Sequence, residues 1–177
     1  MNWFDDYKAK LQSAPQAVGR IASGDDVYYG GNAAIPAALV RALADRRDEL
    51  SDVRLHHVLL LGEDPLSAPG MESHFRHNSL FVGPADRAAV NEGRADYAPV
   101  FLSEIPRLFT SKTIPVDVAL IHVSPPDEHG FCSFGVGVEC TKAAASMANV
   151  VIAQVNPNMP RVLGDSFIHV RNVTYFV

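Results

Sequence analysis

The sequence predicts an α/β domain built on an open, mostly parallel β-sheet with helices on both faces. Residues 116–123 and 150–155 are continuous apolar runs, which are typical of strands buried on both faces. Stretches with helical spacing of apolar residues separate such runs, as expected for a parallel sheet. The chain has 177 residues, 47% of them hydrophobic, which suits one domain and is too few for two ordinary ones. We therefore expect a single α/β domain over residues 1–177.

The first third of the chain predicts two helices and two strands. Residues 3–22 are amphipathic and predict a helix interrupted near Pro15, and residues 27–29 predict a short strand. After a Gly-Gly-Asn turn, a helix is expected from about Ala33 to Leu50, with Pro36 in its first turn, where a missing N–H costs nothing. The run at 53–61 predicts a buried strand.

The remaining elements alternate in the same way. Residues 62–80 are expected to be irregular. Strands are then predicted at 80–83, 96–100, 116–123 and 150–155, helices at 84–92, from about 103 and at 138–148, and short β-rich pieces at 167–170 and 174–177. An apolar edge strand at 174–177 would invite pairing with a further segment or partner.

Composition argues against several classes of function. The formal net charge is −5, which disfavours a nucleic-acid or anionic-membrane surface. No apolar run approaches the roughly 20 residues that cross a bilayer, and the first residues lack the pattern of a secretory signal. Two cysteines without framework spacing indicate a reducing, cytoplasmic setting.

Three segments that follow predicted strands are candidate ligand sites, because open α/β sheets bind ligands beyond the carboxyl ends of their strands. The first is the turn Gly30, Gly31 and Asn32, where glycines permit close backbone approach and a helix start offers N–H groups to a carboxylate, thioester or phosphate. The alternative is an ordinary tight turn with Asn32 as a helix cap.

The second segment follows the strand at 116–123 and contains Pro125, Pro126, Asp127, His129 and Gly130. Its prolines fix the chain direction, and Asp127, Glu128 and His129 are acid–base candidates. The alternative is a rigid structural loop.

The third segment follows the strand at 150–155 and contains Asn156 and Met159. The Asn156 side chain is a candidate ligand donor, although an Asn-Pro pair also simply initiates turns. We predict no metal site, since His129, Cys132 and Cys140 do not match structural zinc spacing. A Cys132 nucleophile stays open, with only His129 nearby in support.

Residues 117–130, DVALIHVSPPDEHG, resemble the signature of the acetyl-CoA hydrolase/transferase family, the family I coenzyme A transferases. The resemblance continues through 131–137, 153–156, 159–161, Gly164 and 168–170, and the glycine turn with Pro36 fits the family's first strand-to-helix junction.

Membership would imply one half of a two-domain enzyme with its active site between the domains. Such enzymes move coenzyme A from an acyl-CoA to a free carboxylic acid through a glutamyl-CoA thioester, with the thioester as substrate and no permanently bound cofactor. The resemblance places the nucleophilic glutamate in a C-terminal domain, so we expect no catalytic residue among these 177 residues. The expected partners are acyl-CoA, a small acid, a C-terminal domain or subunit, and further copies in a homo-oligomer.

The three candidate segments are then expected to form the wall of that cleft, and Gly31→Val is expected to impair ligand handling more than folding. Two other functions remain open. One is a complete thioesterase that uses Asp127, Glu128 and His129, and the other is a module that binds acyl-CoA or a carboxylate without catalysis.

Overall fold

The computed structural model describes residues 2–177 and confirms the predicted fold class. Seven parallel strands form one sheet in the order β4-β3-β2-β1-β5-β7-β9. The strands are β1 Asp26–Tyr29, β2 Val53–His57, β3 Phe75–Ser79, β4 Asp96–Tyr97, β5 Val118–Val123, β7 Val150–Val155 and β9 Tyr175–Phe176. Two further strands, β6 Phe131–Ser133 and β8 Phe167–His169, form a small antiparallel ribbon.

The order of the strands gives the sheet a switch point at its centre. From β1 the chain adds β2, β3 and β4 outward on one side, then crosses to β5 and continues outward through β7 and β9. Val27 therefore pairs with Leu55 on one side and with Val118 on the other. The loops that leave β1 and β5 diverge at this boundary, which opens a crevice at the carboxyl edge of the sheet.

Helices cover both faces of the sheet, as the apolar runs predict. On one face α2 and α3 pack over a core that contains Val27 and Tyr29, and on the other α5 and α6 pack over Tyr28. Neighbouring residues of β1 thus enter opposite cores, and the whole strand is buried. The helices are α1 Trp3–Ala9, α2 Ala14–Val18, α3 Ala37–Ala44, α4 Arg87–Asn91, α5 Ile105–Thr110 and α6 Thr141–Met147.

The structure corrects several predicted boundaries. The helix expected over 33–50 spans Ala37–Ala44, with Pro36 before its first residue, and a separate 3-10 turn follows at Arg47–Glu49. The strand expected at 80–83 is wrong, because the sheet instead uses Phe75–Ser79, a segment expected to be irregular. That strand is polar in sequence, and its five-residue pairing with β2 fixes it as a strand.

The outer edge of β9 is covered rather than open, contrary to the expectation of an exposed edge strand. The Phe176 N–H donates to the Lys10 carbonyl at 2.9 Å, and the Gln12 N–H donates to the Phe176 carbonyl at 2.8 Å. The N-terminal segment thus extends the hydrogen-bond ladder of the sheet by a short parallel bridge. Within residues 2–177, no helix has both the length and the apolar character needed to cross a membrane.

Candidate functional site

The turn after β1 lies directly on the continuation of β2. The Asn32 N–H donates to the Leu59 carbonyl at 2.6 Å, and Asn32 adopts a left-handed backbone with φ 51°. A Cβ atom on Gly31 would lie 2.5 Å from the Val58 carbonyl oxygen, so only glycine permits this approach of the two chains. The paired glycines therefore close the end of the sheet at the switch point.

Two expectations for this turn are wrong. The N–H groups of Gly30, Asn32 and Ala34 all donate to backbone carbonyls, so these three are not open to an anion. Asn32 is not a helix cap either, because α3 begins five residues later. Its side chain makes no hydrogen bond to any other residue in 2–177, and its amide is half-buried at the crevice.

The far part of the loop after β5 packs against this turn. A Cβ atom on Gly137 would lie 2.7 Å from the Ala34 Cβ, and one on Gly30 would lie 3.9 Å from the Thr141 Oγ1. Thr141 in turn bonds the Tyr28 hydroxyl at 2.8 Å on the opposite face of β1. The motifs in the sequence do not predict this contact, and its one local signal is the pair of glycines at 135 and 137.

The loop after β7 joins the same assembly through Met159. The position of a Cβ on Gly135 falls on the buried Met159 side chain, so these two residues pack without space between them. Asn156 uses its Oδ1 to accept the Asn158 N–H at 2.9 Å, which shapes its own turn. Gln154 reaches from β7 to accept the Ala38 N–H at 2.9 Å, and it thereby holds the first turn of α3.

The corner from Asp127 to Gly130 is a separate structure. Asp127 accepts the N–H groups of His129 at 2.9 Å and Phe131 at 2.8 Å, and it pairs with Arg161. Gly130, with φ 83°, lies against Trp3, whose indole donates to the Glu128 carbonyl at 2.9 Å. Among residues 2–177, none of these contacts reaches the glycine turn.

The charge on Asp127 stabilises this corner as a turn. Burial alone would raise the pKa of the Asp127 carboxyl, but the Phe131 and His129 N–H groups and the Arg161 guanidinium hold it below its ordinary value. The side chains of Glu128 and His129 are 86% and 73% exposed. His129 Nε2 lies 3.6 Å from Glu128 Oε1 in this exposed pair, whereas Asp127 is engaged by its own turn and by Arg161. Asp127 therefore does not join the other two in a shared acid–base set. Pro125 and Pro126 connect β5 to this corner, and the Ser124 hydroxyl donates to the Pro125 carbonyl.

The cysteines are poor nucleophiles. Burial raises the pKa of both Cys132 and Cys140 to about 12, so both thiols are protonated at neutral pH. No three metal-ligating side chains in the described part of the chain are grouped so that they could hold an ion.

A cavity of about 670 Å³ opens beside the glycine turn. The start of α3 forms one wall and the loop from Leu61 to Pro65 forms the other. The lining mixes apolar side chains with three charged residues, Arg41, Glu63 and Asp64. Arg41 is exposed and forms no ion pair with another residue in 2–177. The residues that line the cavity are Ala33, Ile35, Ala37, Val40, Arg41, Leu61, Gly62, Glu63, Asp64, Pro65 and Ala85.

The comparison with known families decides the identity. The sequence model of the acetyl-CoA hydrolase/transferase N-terminal domain matches residues 1–177. The chain belongs to this family. The predicted resemblance is thereby confirmed over the full length of the chain, and the description of the matching family confirms that it is an N-terminal domain.

Curated relatives of this N-terminal domain are CoA-transferases. It is 49% identical over 177 residues to the 4-hydroxybutyrate coenzyme A transferase of Clostridium kluyveri, covering 100% of this chain and 41% of that protein. It is 37% identical over 182 residues to the butyryl-CoA:acetate CoA-transferase of Anaerostipes caccae, covering 100% of this chain and 40% of that one. The chain thus spans about two fifths of the length of these relatives.

Several solved structures have the same fold. RipA from Yersinia pestis superimposes with a TM-score of 0.90 at 32% identity, over 99% of this chain and 43% of that one. The 4-hydroxybutyrate CoA-transferase of Porphyromonas gingivalis gives 0.83 at 33% identity, over 99% and 41%. The decarboxylase AibA/AibB, at 19% identity and a TM-score of 0.69, shares the fold alone.

Proposed function

We propose that this N-terminal domain belongs to an acyl-CoA:carboxylate CoA-transferase, which moves coenzyme A between an acyl-CoA and a free carboxylic acid. The observation that carries the proposal is the glycine turn with the unpaired Asn32 amide, which lies at the switch point beside the cavity. The printed activities of the relatives from Clostridium kluyveri and Anaerostipes caccae support the same reaction class.

The reaction proceeds through a carboxylate nucleophile outside these 177 residues. A glutamate attacks the thioester carbonyl, the CoA thiolate leaves, and an acyl-glutamyl anhydride remains. The thiolate then attacks the glutamyl carbonyl, which forms glutamyl-CoA and releases the first acid. The acceptor acid reverses these steps. Each transfer is thus divided into easier exchanges, and the coenzyme A thioester is a substrate rather than a resident cofactor.

The N-terminal domain supplies one wall of the site. The Asn32 amide donates a hydrogen bond to a carboxylate or thioester oxygen, and the apolar residues of the cavity lining accept the acyl chain. Arg41, the basic residue of the lining, pairs with the carboxylate of the acid, while Glu63 and Asp64 of the opposite wall carry the same charge as the acid. Gly30, Gly31 and the residues near Met159 keep this wall in place through the contacts described above.

Partners outside these 177 residues complete the site. A C-terminal domain or subunit supplies the glutamate and much of the surface for coenzyme A. Further copies form a homo-oligomer in the cytoplasm, without nucleic acid or membrane as a partner. The net charge of −5 agrees with an anionic substrate bound locally rather than with a polyanionic partner.

The decisive experiment measures exchange of coenzyme A between acetyl-CoA and labelled acetate. Residues 1–177 are assayed alone and mixed with the C-terminal portion of the Clostridium kluyveri relative, and free coenzyme A is monitored with a thiol reagent. We expect exchange only in the mixture, with little free thiol. Release of thiol without label exchange would identify a hydrolase. Activity of the chain alone would contradict the proposal, and acyl-CoA affinity without turnover in either sample would favour a binding module.

A further inference from the structure

A buried polar cluster lies under the site, and one of its members, Asp64, also lines the cavity. Tyr29 and His57 are the last residues of β1 and β2, His77 is the middle residue of β3, and Asp64 and Asp86 lie in loops. The side chains of all five are at most 2% exposed. His57 Nε2 lies 2.9 Å from His77 Nδ1, and the Tyr29 hydroxyl donates to Asp64 Oδ2 at 3.0 Å. We call these five residues the His–Asp cluster.

The His–Asp cluster places polar groups in a core, where burial costs folding free energy. Three polar atoms in it, His57 Nδ1, His77 Nε2 and Asp86 Oδ2, have no partner at hydrogen-bond distance among residues 2–177. His77 Nε2 lies 3.6 Å from Asp64 Oδ2, and Asp86 Oδ2 lies 3.9 Å from His57 Nε2, too far for a hydrogen bond. Buried polar atoms without partners cost folding free energy, and apolar side chains of similar volume would fill this space more favourably. Stability alone therefore does not account for these residues.

The cluster connects the two walls of the site. Tyr29 is the last residue of β1 and leads directly into the glycine turn, whereas Asp64 belongs to the opposite wall of the cavity. Asp64 also accepts the Leu66 N–H at 3.1 Å, which fixes the turn that ends this wall. Between the two walls, the Leu61 N–H reaches the Asn32 carbonyl at 3.4 Å, a long and weak contact.

A second connection supports the cavity wall from behind. Asp86 accepts the Gly83 N–H at 2.7 Å, and the Ser67 hydroxyl lies 3.1 Å from the Ala85 carbonyl. The loop after β3 is thus held against the 3-10 turn at Pro65–Ser67. His57 and His77 lie between this loop and Asp64, so the cluster is continuous from Asp86 to Tyr29.

We infer that the His–Asp cluster is a positioning device that holds the Leu61–Asp64 wall against the Asn32 turn and thereby sets which acyl groups the assembled enzyme accepts. Its members do not touch the reacting atoms. The specificity part of this inference rests on the proposed function, whereas the positioning part concerns the chain by itself. Pocket shape discriminates acyl chains through small differences in apolar contact, so even a slight displacement of this wall changes selectivity.

The first test is amide hydrogen exchange on residues 1–177, followed by NMR. Tyr29→Phe removes only the hydroxyl and Asp64→Asn removes the acceptor charge. We expect each to raise exchange at Leu61 and Leu66 about tenfold, as for the loss of one hydrogen bond to a charged group. His56→Asn is the matched control, because His56 is equally buried in β2 but bonds Asp26 at 2.8 Å in a different network. Unchanged exchange in both cluster variants, or an equal rise in the control, would overturn the inference.

The second test measures selectivity in the assembled transferase. The ratio of kcat/KM for butyryl-CoA to that for acetyl-CoA is expected to change about fivefold in Tyr29→Phe and Asp64→Asn, and to stay constant in His56→Asn. A general loss of stability would lower both values together. A constant ratio despite faster exchange would overturn the specificity part. Absence of transfer in the wild-type mixture would refute the proposed function and the specificity part, while the exchange data would still decide the positioning part.

Discussion

The carbonyl oxygen of Val58 lies 2.5 Å from the position that a Cβ atom would occupy on Gly31. The obstacle is backbone rather than a flexible side chain, so it cannot move without displacing the end of β2. This relationship contradicts the sequence-based expectation that a larger residue at position 31 impairs ligand handling more than folding. The glycine is required by the fold before any ligand binds.

Gly31→Ala is therefore expected to destabilise the chain by about 2–3 kcal/mol, as forced overpacking does. Urea unfolding followed by circular dichroism measures the effect. Gly24→Ala is the control, because a Cβ atom added at Gly24 would have no other atom of residues 2–177 within 4 Å beyond its chain neighbours. The backbone at Gly24 has φ 84°. The control should lose only the conformational cost of a left-handed alanine, about 1–2 kcal/mol. A loss below about 1 kcal/mol in Gly31→Ala would show that the Val58 contact is relieved at little cost.

Asn32→Gly separates the side-chain amide from the backbone conformation that supports it. Glycine tolerates φ 51° without strain, so we expect a similar melting temperature. Transfer activity of the assembled enzyme is expected to fall about tenfold or more, the effect of losing one hydrogen bond to a charged ligand. Asp52→Gly, at a left-handed position with φ 56° outside the site, should leave activity unchanged. Full activity of Asn32→Gly would show that the Asn32 side chain does not bind the substrate.

Asp127→Asn should destabilise the chain at neutral pH, because the carboxylate accepts two N–H groups and pairs with Arg161. The folded-state pKa is depressed, so the stabilisation is present above the unfolded value of about 3.9 and is lost as pH falls through the lower folded value. Urea unfolding of both proteins at pH 7 and near pH 3 tests this. The difference in unfolding free energy between wild type and Asp127→Asn should be smaller near pH 3 than at pH 7. A difference that does not change with pH would contradict an electrostatic role for Asp127.

His122 is expected to make stability pH-dependent. Burial lowers its pKa, and the opposing effect of the nearby Ile35 backbone is smaller. The unfolded chain therefore binds a proton near pH 6.5 that the folded chain rejects, and stability declines as pH falls below that value. His122→Phe should lessen the decline between pH 7 and 5. Identical pH profiles for His122→Phe and wild type would refute this role.

The buried thiols should resist modification in the native state. Both cysteines have pKa values raised to about 12 by burial, so iodoacetamide is expected to label neither within hours at pH 7.5 and both after unfolding in urea. Mass spectrometry of intact protein counts the labels. Rapid native labelling of Cys132 would reopen its role as a nucleophile.

Sequence patterns predicted the central strands well and the peripheral ones poorly. The run at 150–155 coincides with β7, since a strand buried on both faces is apolar throughout. The sequence pattern did not predict β3, because Arg76, His77 and Asn78 interrupt its apolar residues. Its place in the sheet comes from pairing with β2, a long-range contact that local periodicity does not carry.

The candidate site divides in the same way. The sequence by itself determined the fold class, the family and the three loops at the carboxyl edge, because hydrophobic runs and a long motif are local properties of the chain. Only the tertiary structure decided that the Asn32 side-chain amide has no hydrogen-bond partner within residues 2–177, whereas the Asp127 carboxylate accepts hydrogen bonds from N–H groups of its own turn. It alone revealed the His–Asp cluster, whose members lie up to 57 positions apart, from Tyr29 to Asp86. Which polar atoms find partners depends on how distant segments meet, and that is fixed only when the chain folds.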